Sequence, residues 1–356
     1  MITISLCIIV KNEEGVIRRC LESVKGIVDE INIVDTGSTD RTKEIVTQFT
    51  DRVFNFTWID DFSAARNFAF QQATKEYILW LDADDVLLES DQELLLNLKQ
   101  TLDSSVDAVS MQYNLAFDEN QHVTSSLRRY RLVKRERGFK WFGFVHEYLE
   151  VGGHLYDSNI SVSHLPLSHD QERNIRIYET MEAQGHIFTP RDLFYFANEL
   201  VDHHRFEKAI EYYTKFIKTG KGWVEDNIQA CHKLADCYHH FGLEDQELQW
   251  VLHALSYGVP KPETCCRLGF LLMNKQNFHG AIYWYKAALD ENGMKTFALQ
   301  DSSFSTWLPH LQLAVCYDKI GEQKEGYEHN EAARKFRPND ERILANKIYF
   351  ENVLKL

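Results

Sequence analysis

Positive charge is scarce in this chain: 39 Lys+Arg stand against 53 Asp+Glu, a formal net charge of −14 over 356 residues. That deficit excludes a generic binder of nucleic acid or of anionic membranes, which needs a basic surface. Six prolines and seventeen glycines are too few for a fibrous or low-complexity chain. No stretch approaches the roughly 18 uninterrupted apolar residues of a membrane span. The seven cysteines (Cys7, Cys20, Cys231, Cys237, Cys265, Cys266, Cys316) are odd in number and contain no CxxC pair. They read as buried, reduced thiols of a cytoplasmic protein rather than as a disulfide frame, a redox pair or a metal site. The opening MITISLCIIVKNEE has neither a basic n-region nor a small-residue cleavage site, and reads as a first strand rather than a secretory signal.

What is abundant is core material, 44 % hydrophobic and 13 % aromatic, enough for two domains. In the first third, ITISLCIIV (2–10), EINIVDT (30–36) and YILWLDA (77–83) predict buried parallel strands. Helical patterns separate or follow them at 12–27, 40–49 and 63–74, opening with Asn12, Asp40 and Ser63 at cap-like positions. This alternation predicts an open α/β sheet, whose ligands bind beyond the carboxyl ends of the strands. The polar clusters KNEE, DTGSTD and DADD fall at those ends. From about 105 to 165 shorter alternating segments predict mixed or antiparallel strands that close a first domain, 1–170.

Strand signals vanish in 171–356, where apolar residues recur at helical spacing. The segment at 193–220 is echoed at 265–290 and more weakly at 311–340, with Ala197, Ala235, Gly269 and Ala314 at matching places. Ala209 and Ala281 open similar second helices 72 residues apart, twice a period of 36. This half resembles tetratricopeptide repeats, with 291–306 interrupting the period. The alternative is an irregular helical bundle. Stacked helix pairs share a core and leave a concave face, here rich in Tyr and His, that suits an extended peptide; the same repeats suit a homodimer or docking to a partner enzyme.

Chemistry concentrates in Asp82-Ala83-Asp84-Asp85, directly after an apolar run. Carboxylates held at a strand end can share a divalent ion with a diphosphate, because hard cations prefer oxygen ligands. The structural alternative is an acidic loop or a helix cap, a role open to Asp85. IVDTGSTD ends the preceding strand: Asp35 there can accept from a base imide, or the loop can be a simple turn and cap.

Taken in order, CIIVKNEEGVIRRCLESV, INIVDTGSTDRT, DFSAARNFAF and YILWLDADD resemble the family 2 inverting glycosyltransferases of the GT-A fold, over roughly residues 1–165. The resemblance implies a nucleotide-sugar donor, usually a UDP-sugar, and a divalent metal, Mn or Mg. It places Val10, Asn12 and Glu13 near the nucleoside and Asp35 and Thr36 at the uracil or ribose; many relatives carry a second Asp where this chain has Thr36. Arg66 matches a basic position near the donor phosphates, Asp82 and Ala83 lie by the ribose, and Asp84 is on the metal.

An inverting transfer also needs a base opposite the leaving diphosphate. Glu147 in FGFVHEYLE is the first candidate, with His146 orienting or replacing it, and relatives that join this domain to tetratricopeptide repeats carry a similar VHE. The alternative for Glu147 is an exposed strand carboxylate. His164 is a candidate third metal ligand, with His169 behind it; each could equally be a satisfied structural histidine. The basic run 128–140 predicts a solvated hairpin face rather than an RNA site, from which Arg128, Arg129 or Arg131 could reach the diphosphate. The expected function is metal-dependent sugar transfer to an acceptor, with a peptide or protein Ser, Thr or Cys favoured by the architecture, no nucleic acid and no membrane insertion. Competing readings are a polysaccharide or lipid-linked acceptor, a sugar-phosphate nucleotidyltransferase, which KNEEG disfavours because it is not a Gly-rich phosphate loop, and a non-catalytic peptide-binding scaffold.

Overall fold

A computed structural model of the chain describes residues 1–118, 122–167, 170, 172–290 and 300–356. The first unit, Met1–Ile187, runs β1 (Ile4–Val10), α1 (Ile17–Ser23), β2 (Glu30–Asp35), α2 (Thr42–Val46), β3 (Val53–Asn55), α3 (Phe62–Gln71) and β4 (Tyr77–Trp80). It continues through β5 (Asp85–Val86), α4 (Glu89–Thr101), β6 (Ala108–Phe117), β7 (Val123–Lys134), β8 (Lys140–Phe142), β9 (Tyr148–Glu150), β10 (Leu155–His164) and α5 (Glu172–Ala183). α5 follows the boundary expected at 170 yet belongs to this unit: the Tyr178 hydroxyl donates to Val145 O at 3.4 Å, and Arg173 lies 4.6 Å from the Phe62 ring centroid.

The β-branched runs pair as the alternation predicts. β1 lies between β2 and β4, parallel to both, with Val10 opposite Asp35 and Cys7 opposite Trp80. The strand order is β3-β2-β1-β4-β7-β6-β10-β5, in which β7 joins β4 and β6 antiparallel while β10 runs parallel to β6. The sheet is therefore mixed. Its two faces bury separate cores: Ile4, Leu6, Ile8, Ile17, Leu21, Leu79 and Leu95 on one, and Ala69, Phe70, Ile78, Trp80 and Trp141 on the other. The period-2 alternation of side chains along β1 and β4 divides them between these cores.

Helix starts differ in detail from the expectation. α3 is capped by Asp61, whose carboxylate accepts from Ala64 N at 2.9 Å, rather than by Ser63. α4 begins after Leu88 with no side-chain cap, so Asp85 is not a helix cap. Its carboxylate instead closes the DADD turn by accepting from Asp82 N at 2.9 Å.

The second unit begins at Phe188 and contains α6 (Pro190–Asp202), α7 (Phe206–Thr219), α8 (Val224–His240), α9 (Glu244–Ala254), α10 (Pro262–Asn274), α11 (Phe278–Leu289), α12 (Trp307–Lys319), α13 (Gln323–Phe336) and α14 (Glu341–Leu354). α6/α7, α8/α9, α10/α11 and α12/α13 pack as successive hairpins. Ala197, Ala235 and Ala314 are buried at the matching first-helix places, and at Gly269 a Cβ would come within 2.8 Å of the Tyr285 ring. These small residues let paired helices approach, which is why the repeat shows in the sequence. Part of the interruption expected at 291–306 falls on 291–299, outside the described residues. All seven cysteines are buried and free. Among the described residues no helix is long and apolar enough to cross a membrane.

Candidate active site

The polar loops after β1, β2 and β4 leave the same end of the sheet, and the first two are bonded to each other. Asn12, in the left-handed region at φ 57°, accepts from Thr39 N at 2.8 Å and donates its own N–H to Ser38 Oγ at 3.0 Å. Thr36 donates from both N and Oγ1 to Val10 O, at 2.9 and 3.1 Å. Asp35 is 2 % exposed and accepts from Gly37 N and Ser38 N at 3.1 Å, with Lys43 Nζ at 2.9 Å. Burial opposes ionisation of Asp35, but these hydrogen bonds outweigh it and hold the carboxyl below its usual range. Asp35 thus organises the loop from within.

The loop after β4 carries most of the charge. Arg66, projecting from α3, donates Nη2 to Asp82 at 2.6 Å and Nε to Glu147. Its guanidinium sits 5.0 Å from the Trp80 ring centroid and 4.8 Å from that of Trp141. One cation is therefore shared by two carboxylates from different segments and confined by two indoles. Burial works against the charges here, yet the paired charges prevail: Asp82 is held below the carboxylate range by Arg66 and then Arg131, and Arg66 is pushed further up. Glu147 lies in the short connection between β8 and β9, next to His146, whose φ of 52° marks a sharp turn.

Asp84, Asp85 and His164 bring their ligand atoms within 4.8 Å of one another. His164 Nδ1 lies 3.4 Å from Asp84 and 3.5 Å from Asp85, with the Tyr113 hydroxyl at 2.9 Å. Burial opposes charge on His164, but the two carboxylates outweigh it and raise its pKa to about 10. Asp85 Oδ1 is buried with only His164 Nδ1 facing it at 3.5 Å among the described residues, and two carboxylates with one imidazole are a donor set suited to a divalent cation. The residues fit the ion. Glu13 feels the same field: burial first, and then the negative charge of Asp84, push its carboxyl up to about 7.

Residues 5–149 match glycosyl transferase family 2. That stretch of the first unit is similar to family 2 glycosyltransferases. The chain is 31 % identical over 236 residues to the SPbeta prophage-derived glycosyltransferase SunS of Bacillus subtilis, covering 62 % of this chain and 54 % of that protein. It is 48 % identical over 101 residues to a TPR repeat-containing protein of Synechococcus elongatus, 28 % of this chain and 25 % of that one. It thus spans between a quarter and about half of the length of these curated relatives. Among solved structures, the crystal structure of MamA aligns with 45 % of this chain and 85 % of its own at 18 % identity and a TM-score of 0.37.

Within that stretch, 5–149, Val10, Asn12, Glu13, Asp35, Thr36, Asp82, Ala83 and Asp84 lie in or at the start of the strand-end loops, and Arg66 joins Asp82 to Glu147. Arg131, expected at the diphosphate, is fully buried and pairs with Asp85 at 2.8 Å between the rings of Trp80 and Tyr113. Arg128 turns to Ser110 and to Ser158 O, and Arg129 lies opposite Met111 along β7. His169 lies outside the described residues. Sequence reasoning missed Asp85 as a site residue, together with Tyr113, Trp80, Trp141 and Arg173, which acts electrostatically on Glu13. For Asp85 the signal was present in DADD. The aromatic residues had none, since they read only as core.

Proposed function

We propose that the protein is a metal-dependent, inverting glycosyltransferase that moves a sugar from a nucleoside diphosphate, UDP favoured, to a peptide or protein side chain. The observation that carries this reading is the link Asp82–Arg66–Glu147 beside the Asp84–Asp85–His164 cluster. Asp84 and His164, with Asp85 Oδ1, would hold the ion, which on binding neutralises charge on the departing diphosphate. Asn12 and Glu13 flank the nucleoside, and Asp35 and Thr36 shape its pocket. Arg66 supplies fixed positive charge near the phosphates while holding Asp82 and Glu147 in register. Arg131 steadies Asp85 from beneath the loop.

Glu147 takes the proton of the acceptor hydroxyl or thiol as that atom attacks the anomeric carbon. The carbon–oxygen bond to the diphosphate breaks, and its electron pair leaves with the diphosphate. His146, adjoining Glu147 on the turn, orients it. The helical hairpins supply the surface for an extended acceptor, since stacked repeats present their first helices side by side. Buried free thiols support a reducing, cytoplasmic setting.

The test is thermal stabilisation by UDP, GDP, CDP and dTDP, each with and without Mn or Mg, because a ligand selective for the native state raises its stability. The reading predicts a metal-dependent shift with UDP above the others. No shift with any nucleotide would remove the donor site and leave peptide binding as the function.

A further inference from the structure

The basic run 128–140 is only partly used by the donor site. Three of its members, Lys134, Arg135 and Lys140 at the start of β8, line a cavity of about 480 Å³ beneath the C-terminal end of α3. No acidic side chain lines it. The floor is apolar and partly aromatic: Phe70, Ile78, Val133 and Phe139. Lys134 Nζ is engaged by Ser104 O and Glu136, both at 2.8 Å, whereas Arg135 gives only Nε, to Lys75 O at 2.6 Å, and Lys140 is exposed. The cavity is separate from the donor loops. It opens over Ile78, near the start of β4, while Asp82 follows that strand's far end, about 13 Å on at the usual rise per residue.

A pocket of this size with an aromatic floor and a cationic rim selects a small ligand having one flat apolar group and one anionic group. We propose that it is a binding site for an aryl phosphate or aryl carboxylate, the ring against Phe70 and Phe139 and the anion between Arg135 and Lys140. Neither feature alone would suffice: a bare anion leaves the apolar floor wet, and a neutral arene leaves the cations unpaired. In a chain of net charge −14, a cavity with no acid in its lining is a place where a free anion gains, Glu136 being already engaged by Lys134.

The test is calorimetric titration of the full chain with phenyl phosphate, benzoate, inorganic phosphate and phenol. Saturable binding of phenyl phosphate or benzoate is expected, about tenfold or more tighter than inorganic phosphate or phenol. The two aryl anions distinguish a phosphate from a carboxylate ligand. R135E/K140E should weaken it about tenfold, and K140E alone, at an exposed position, should weaken it measurably with unchanged melting. Saturating UDP with Mn should leave the binding intact. The proposal is overturned by absence of saturable heat up to about 5 mM, by equal affinity in K140E, or by displacement with UDP, which would assign the ligand to the donor loops.

Discussion

In the proposed reaction Asp84 and Glu147 act on its two ends, so their substitutions separate binding from chemistry. Asp84→Ala removes a carboxylate that stands beside His164 and is not part of the core, so the fold should survive while metal-dependent stabilisation by UDP disappears. A wild-type protein at a hundredfold excess over Kd gains about 2.7 kcal/mol from its ligand, and melting with and without Mn reads that loss directly. Glu147→Gln keeps shape but cannot accept a proton. Nucleotide binding should persist while transfer falls by roughly 10²–10⁴-fold, read by product formation against UDP affinity. Arg131 poses a different question, because both it and Asp85 are fully buried. Arg131→Met takes the guanidinium partner from the buried Asp85, at a cost of up to about 3–5 kcal/mol in urea unfolding, and adding Asp85→Asn should recover much of it.

Elements are held by contacts that the one-dimensional pattern shows unevenly. The parallel strands and the repeat helices were legible because burial repeats at period 2 or 3.6, and Gly269 was legible because two helices cannot meet at Tyr285 with a side chain there. A Gly269→Val substitution should lower the melting of the repeat unit, costing about 1–3 kcal/mol by overpacking. The short strand β3 and the cap at Asp61 escaped notice, since three residues carry no period and Asp60, Asp61 and Ser63 compete for the cap in DDFS. In the site, the loops could be read from their acids and Arg66 from the motif, but the pairing of Arg66 with Glu147 spans 81 positions and leaves no local trace. Glu30 is a similar long-range joint: it accepts from Ser5 Oγ at 2.7 Å, Asn32 Nδ2 at 2.8 Å and Thr74 Oγ1 at 2.5 Å, tying β1 and β2 to the turn before β4. Burial opposes its charge, but these bonds win and lower its pKa from about 4.5 to about 2. A folded-state pKa below the unfolded one gives stability that is complete above about pH 4.5 and is lost as pH falls toward 2. Glu30→Gln should therefore destabilise the protein at pH 7 and flatten its acid unfolding between pH 4.5 and 2, as urea melts at stepped pH would show.

At the scale of the whole molecule, the two units have independent means of burying apolar surface. The sheet has a core on each face, and in the first hairpin α6 packs on α7 through aromatic rings, Phe194 against Tyr213 and Phe196 against Tyr212. Every residue assigned here to the donor, the metal and the base lies between Val10 and His164, within Met1–Ile187. Donor chemistry should therefore survive a cut after Ile187, whereas recognition of an extended acceptor should not. A chain ending there is expected to bind UDP with Mn and to hydrolyse the donor sugar at close to the full-length rate. Its kcat/KM for the acceptor should fall by tenfold or more if the repeats, as proposed, contribute binding rather than chemistry. Residues 188–356 supplied in trans at high concentration should compete for a peptide acceptor and inhibit transfer by the intact protein without touching donor hydrolysis. Transfer at the full rate by the truncated chain would take the acceptor off the repeats and leave them to dimerisation or docking, with the family 2 domain itself recognising what is glycosylated.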